Sequence, residues 1–273
     1  MTTTSGRFAT FGGWLFPLEH RLVYPGSYAK AKLVKQTPAE YGLEYEQLTL
    51  HASDGVALEA WAIPNTTPEG RNIWLVYFHG NGETMGAYLP VATKLHALGL
   101  NVLMLEYRGY GNSEGVPSEG GLYRDAEASY RWLLERGVSS ENIVVYGFSL
   151  GSGVAVELAS RVPVGTLILE APYTSLPDVA RAAYRAVPPT LMKNRFASKE
   201  KIMNVAAPTL FNHARDDRTV PYSQGETLYQ LSPAPKKMVT ITGGHVALFN
   251  GPTEAVYDEI AAFLQTHVKL EAH

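Results

Sequence analysis

The chain has 273 residues, 45% hydrophobic and 18% charged, with a formal net charge of −3. A chain of this size buries a core without staples. The absence of cysteine excludes a thiol nucleophile, a disulfide framework and thiolate metal sites. No basic run marks a nucleic-acid surface, and no apolar run reaches the ~18 residues that span a bilayer. The start lacks a basic stretch followed by an apolar core, so the expected compartment is the cytoplasm.

The first 40 residues are an arm crowded with Phe8, Phe11, Trp14, Leu15, Phe16, Leu18, Leu22, Val23 and Tyr24. Gly12, Gly13 and Pro17 interrupt any long helix there. The favoured reading is an arm whose aromatics pack on the body of the protein. A weak interfacial membrane contact is the second reading. Glu44–Leu50 and Val56–Ile63 then read as antiparallel strands around a Ser53-Asp54-Gly55 turn. From Ile73–Phe78 onward the apolar runs become continuous, as in strands buried on both faces of a parallel sheet. Further runs are Val102–Leu105, Ile143–Phe148, Leu167–Leu169, Thr209–Phe211 and Met238–Ile241.

Helical spacing covers Thr84–Leu98, a stretch opened by Ser118 as N-cap, Ser152–Arg161, Ser223–Leu231 and Pro252–Val268. Two strands followed by alternating strands and helices predict an eight-stranded, mostly parallel sheet flanked by helices, in a single domain spanning 1–273. The interval 172–207, between the sixth and seventh strands, is too long for a plain crossover and predicts a small helical cap. Its Tyr173, Leu176, Tyr184 and Phe196 are candidate substrate-binding residues of an apolar acyl pocket.

Four loops beyond the strands carry the chemistry. After the third strand comes His79-Gly80-Asn81-Gly82. After the fourth comes Tyr107-Arg108-Gly109-Tyr110-Gly111, which reads as a braced turn. After the fifth, Gly147-Phe148-Ser149-Leu150-Gly151 places a serine between a strand and a helix. That pentapeptide pattern alone arises by chance in on the order of one chain in ten of this length. A serine hydroxyl needs a base, an acid to orient the base, and donors for an oxyanion. On a strand–turn–helix elbow the partners follow in the order Ser, acid, His. His245, in the glycine-rich loop after the last strand, meets that order. The acid is Asp216 or Asp217 in the loop after the seventh strand, with Glu170 at the end of the sixth as a further candidate. The backbone N–H groups of Leu150 and Asn81 are the expected oxyanion donors, and His79 is expected to brace its loop. His79, His213 and Asp217 lack metal-ligand spacing, and no phosphate-binding loop is present, so neither metal nor cofactor is expected.

Taken together, Tyr77-Phe78-His79-Gly80-Asn81-Gly82, Tyr107-Arg108-Gly109-Tyr110-Gly111, Gly147-Phe148-Ser149-Leu150-Gly151, Glu170-Ala171-Pro172-Tyr173-Thr174-Ser175, Asp217-Arg218-Thr219-Val220-Pro221 and Gly244-His245 resemble the α/β-hydrolase superfamily. More narrowly they resemble the compact prolyl-oligopeptidase-like, or bud-emergence-type, serine hydrolases. The likeness covers about residues 40 to 270. It implies the α/β-hydrolase fold, and the family's D-x-x-[IV]-P pattern selects Asp217 as the acid beside Ser149 and His245. It implies a small-molecule ester substrate, and the shortness of the cap leads us to expect short- to medium-chain acyl groups. Thioesterase or depalmitoylase, amidase or peptidase, and acyltransferase activities use the same three residues. A non-catalytic binding protein on this fold is the rival from another class.

Overall fold

The computed structural model describes residues 19–28, 36–66, 72–183, 192–250 and 253–268. Its strands are β1 (Glu46–His51), β2 (Ala57–Ile63), β3 (Trp74–Phe78), β4 (Asn101–Leu105), β5 (Ile143–Phe148), β6 (Thr166–Glu170), β7 (Thr209–Ala214) and β8 (Lys236–Ile241). They form one sheet in the order β1-β2-β4-β3-β5-β6-β7-β8. β2 pairs antiparallel with β1 and β4, and the remaining neighbours are parallel. The expected eight-stranded, mostly parallel sheet is therefore present. The β1–β2 turn closes because Gly55 adopts φ 83°, a conformation that glycine enters without steric cost.

Side chains alternate across this sheet, so each strand feeds both faces. Val76, Phe78, Leu103, Leu105, Val145, Leu167 and Phe211 pack on one face. Helices α2 (Glu119–Glu135), α3 (Leu150–Arg161) and α5 (Tyr222–Leu231) cover it through Leu122, Val154, Leu158 and Leu228. Leu75, Tyr77, Val102, Met104, Val144, Tyr146 and Leu210 pack on the other. There α1 (Leu89–Ala97) and α6 (Glu254–His267) close the layer with Leu89, Leu95, Val256 and Ile260. Double coverage explains why β4 to β7 read as uninterrupted apolar runs. β8 is half buried and begins with Lys236 and Lys237, charges that suit an edge strand.

Several helix starts differ from expectation, α3 opening at Leu150 and α5 at Tyr222. The stretch expected as one helix from Thr84 divides into a 3₁₀ turn, Met85–Tyr88, and α1, which carries Pro90 in its first turn. Proline restricts the residue before it and supplies no N–H, so it opens a helix rather than sitting inside one. The last helix begins at Glu254 with Thr253 as N-cap, and Pro252 lies outside the described residues. Ser118 caps α2 as expected, its hydroxyl accepting from the Gly121 N–H at 3.2 Å. The cap between β6 and β7 contains α4 (Leu176–Ala183) and short turns at Ser198–Lys201 and Ile202–Asn204.

The turn after β4 is braced by charge. Arg108 donates to Asp125 through its Nε at 2.8 Å and its main-chain N–H at 3.0 Å. It also donates to both oxygens of Asp54, at 2.7 and 2.9 Å. One guanidinium thereby joins the β1–β2 turn, the post-β4 loop and α2. The Asp125 side chain is fully buried and that of Arg108 nearly so. Removing the cation would leave a buried carboxylate without its partner, a change that costs about 3–5 kcal/mol. Urea unfolding of Arg108→Ala is expected to show a loss of that size. Arg108→Lys is expected to recover only part of it, because an ammonium cannot hold two carboxylates in a planar fork.

Candidate active site

Ser149 occupies the apex between β5 and α3 with φ 50° and ψ −117°. A non-glycine residue at positive φ is strained and persists only where its surroundings over-determine it. Here the Ser149 N–H donates to the Glu170 carbonyl at 3.0 Å, and the Ser152 N–H donates to the Ser149 carbonyl at 2.8 Å. The flanking glycines are a packing requirement. A Cβ at Gly151 would lie 2.0 Å from the Phe78 carbonyl oxygen, and one at Gly147 would lie 2.4 Å from the Gly151 carbonyl oxygen. Strand and helix therefore approach more closely than any side chain permits.

β7 runs to Ala214, three residues beyond the expected end, so its following loop is short. Within that loop Asp217 Oδ1 accepts the N–H groups of Thr219 and Val220 at 2.8 and 2.9 Å. Its Oδ2 lies 2.7 Å from His245 Nδ1, and His245 Nε2 lies 2.9 Å from Ser149 Oγ. An ionised carboxylate only accepts, so Nδ1 carries the proton and Nε2 is left to accept from the serine hydroxyl. Burial alone would raise the Asp217 carboxyl. Hydrogen bonds from His213, His245 and the Val220 N–H outweigh it and hold the group well below the usual carboxylate range. The other two acid candidates are engaged elsewhere. Asp216 accepts the N–H groups of Gly243 and Gly244 and so shapes the loop bearing His245. Glu170 accepts from the Tyr146 hydroxyl at 2.7 Å.

The Leu150 N–H stands at the N-terminus of α3, where backbone donors lack helical acceptors. Neither this amide nor that of Asn81 finds an acceptor among the described residues. His79 is fully buried, with Nδ1 2.7 Å from the Gly80 carbonyl and Nε2 3.0 Å from the buried Glu106 carboxylate. The Nδ1 contact thus holds the loop, with the Glu106 carboxylate lying beside Nε2, the bracing position expected of His79. Of the cap residues, Tyr173 and Phe196 are fully buried and pack on α3 at Gly153 instead of opening onto solvent. Leu176 is partly buried against the same core. Tyr184 lies outside the described residues, as do Phe8, Phe11, Trp14, Leu15, Phe16 and Leu18 of the arm.

Three neighbours of the site were not singled out from sequence. The Phe148 ring lies 5.3 Å from the His245 ring and 5.5 Å from that of Phe249. Phe148 is the variable position of the serine pentapeptide, which gives no hint that its ring reaches the histidine. His213 donates from Nε2 to the Val220 carbonyl at 3.0 Å, with Asp217 Oδ2 at 3.5 Å. Its place at the end of β7 was a visible signal, but its pairing depends on how the loop folds back. Among the described residues no cluster of three or more His, Asp or Glu side chains could hold a metal ion. None of the described helices is long and apolar enough to cross a membrane.

A sheet of this topology, with a strained serine elbow after β5, defines the α/β-hydrolase class, and the chain belongs to that superfamily. The family model described as "Serine aminopeptidase, S33" matches residues 71–200. The chain is 34% identical over 235 residues to protein bem46 of Schizosaccharomyces pombe, covering 82% of this chain and 78% of that one. It is 35% identical over 196 residues to the lysophosphatidylserine lipase ABHD12 of Danio rerio, across 64% of this chain and 50% of the relative. The structure of an α/β hydrolase from Vibrio vulnificus superposes with a TM-score of 0.77 at 21% identity, covering 97% of this chain and 99% of that one. The Pyrococcus furiosus esterase Pf2001 superposes with a TM-score of 0.76 at 21% identity, over 87% of this chain and 96% of that one.

Glu170 lies directly behind the elbow, and burial pushes its carboxyl up from 4.5 to about 8. The folded protein therefore holds a proton that the unfolded chain releases between those values. Stability contributed by the neutral acid is complete below the unfolded value and is lost as pH rises through this window. Glu170→Gln keeps the shape without the ionisation. Between pH 5 and pH 8.5 the unfolding free energy from urea titrations is expected to fall further for the wild type than for this variant, by more than about 1 kcal/mol.

Proposed function

We propose that this protein is a serine hydrolase that cleaves carboxylic esters of short- to medium-chain acids. The observation that carries the reading is the unbroken chain of hydrogen bonds from Asp217 through His245 to Ser149 Oγ. In this reading Ser149 attacks the acyl carbon as His245 Nε2 takes its proton. Asp217 stays ionised, fixes the ring orientation and stabilises the imidazolium that forms. The negative charge developing on the carbonyl oxygen is held by the N–H groups of Leu150 and Asn81. His245 then returns the proton to the departing alkoxide, which leaves as the alcohol. A water, deprotonated by the same imidazole, releases the acid and restores Ser149.

The strained elbow supports the nucleophile assignment, since its backbone presents the hydroxyl beside a helix N-terminus where charge is favoured. The esterases among the structural neighbours are consistent with ester cleavage. A second reading, long-chain or lysolipid esters, is favoured by the likeness to the lipase ABHD12. The half-buried Phe249, which packs on Phe148 next to His245, gives either acyl group an apolar surface to meet.

Ser149→Ala is expected to lose turnover of p-nitrophenyl esters by at least ~10⁴-fold while keeping its thermal midpoint. Retained activity in a folded variant would remove Ser149 from the mechanism. Across p-nitrophenyl esters from acetate to palmitate, kcat/KM is expected to peak between acetate and octanoate. A maximum at palmitate would favour the lysolipid reading instead.

A further inference from the structure

Residues 19–28 lie far from the serine in sequence but converge on the loop that carries Asn81. The Asn81 carbonyl accepts the Gly26 N–H at 3.1 Å, and Asn81 Nδ2 donates to the Val23 carbonyl at 3.0 Å. The Tyr110 hydroxyl donates to the same Asn81 carbonyl at 3.0 Å. The approach leaves no room for a side chain. A Cβ at Gly26 would lie 2.5 Å from Tyr110 Cε1 and 3.1 Å from the Asn81 oxygen. Val23, Tyr24 and Gly26 are buried, so this contact is a packed seam.

The other end of the segment is pinned to the limb of the cap that returns toward β7. Glu19 Oε1 accepts the N–H groups of Lys193 and Asn194 at 2.9 and 2.8 Å. The Tyr24 hydroxyl donates to Asn194 Oδ1 at 2.8 Å. His20 Nε2 sits 2.9 Å from the Pro117 carbonyl, just before α2. The segment is therefore a strap, fixed at the cap and at Pro117, whose Val23 carbonyl and Gly26 N–H pair with Asn81.

That end point has a chemical consequence. Oxyanion donors are effective only if they are already in place when charge develops, because reorganisation during the reaction consumes the stabilisation. The loop 79–82 has no regular secondary structure of its own to place its amides. His79 fixes one end through Glu106 and through the Tyr107 hydroxyl, which donates to the His79 carbonyl at 2.9 Å. Asn81, at the other end, is fixed by Val23, Gly26 and Tyr110. We propose that residues 19–28 are a positioning element of the candidate active site, setting the backbone N–H of Asn81 through the paired contacts with Val23 and Gly26. This inference rests on the serine-hydrolase reading above. None of the strap's contacts described above reaches Ser149, so its effect on the site passes through Asn81.

The test uses two full-length variants. Gly26→Ala drives the strap away from Tyr110 and Asn81. Asn81→Ala keeps the backbone N–H but cuts the side-chain link to Val23, at a half-buried loop position. Rates are normalised to sites titrated to completion with a fluorophosphonate, and folding is checked by circular dichroism. In each variant kcat is expected to fall roughly 10- to 100-fold with KM within about twofold of wild type. The Ki of a simple alkylboronic acid, which forms a tetrahedral adduct on the serine, is expected to rise by the same factor. A strap that only stabilises the fold would lower the melting temperature and leave both kcat per titrated site and the Ki unchanged, which overturns the proposal. A fall in kcat without a matching rise in Ki overturns it as well. Should the wild type fail to titrate, or Ser149→Ala stay active, the serine-hydrolase reading falls and the strap's role falls with it. A wild type that titrates beside two unaffected variants refutes the strap alone.

Discussion

The structure depends on the contact between the end of β3 and the start of α3. Gly151 packs its backbone onto the Phe78 carbonyl so closely that no side chain fits between them. Gly147 does the same against the first turn of the helix. The chain must therefore reverse within one residue, and that residue, Ser149, is held at positive φ. Backbone strain of this kind costs on the order of 1–3 kcal/mol and persists only against a rigid frame. The frame is the doubly covered sheet, whose central strands are buried along their whole length.

The same geometry concentrates the candidate site at one edge. The parallel strands β3, β5 and β7 all end on the side where their loops meet, and β8 delivers its loop there too. Asn81, Ser149, Asp217 and His245 thus arrive from four separate loops onto one place, as open α/β sheets generally bring ligand-binding groups to their carboxyl ends. Polar groups, buried at Glu106 and His213 and exposed at Asp216, then fix each loop in turn. Glu106 holds His79, Asp216 holds the glycines before His245, and His213 lies beside Asp217. The two buried groups sit in a low-dielectric setting where each is costly unless partnered, so their contacts also specify a single arrangement.

Much of this was legible in the sequence because its physical cause is local. Continuous apolar runs follow from double burial, and Ser118 announces α2 because a hydroxyl accepts an orphan N–H. The serine pentapeptide is readable because small residues on either side of the turn are a steric necessity. Less was legible where a residue's role depends on a distant partner. Tyr173 and Phe196 have the composition of pocket walls, yet they are buried against Gly153. Phe148 looks like a variable motif position, yet its ring faces His245. Arg108 read as part of a braced turn, but its partners Asp54 and Asp125 lie 54 and 17 residues away.

The sequence by itself determined the class of fold, the order of its strands and helices, and the short list from which nucleophile, acid and base could be drawn. Hydrophobic periodicity and steric minima act over a few residues, and a linear text carries them intact. The motif pattern already selected Asp217 as the partner of His245; only the tertiary structure decided what Asp216 and Glu170 do instead, and that residues 19–28 grip the Asn81 loop. Those outcomes turn on hydrogen bonds a few ångströms long between segments far apart in the chain. Their geometry exists only once the sheet has brought the loops together.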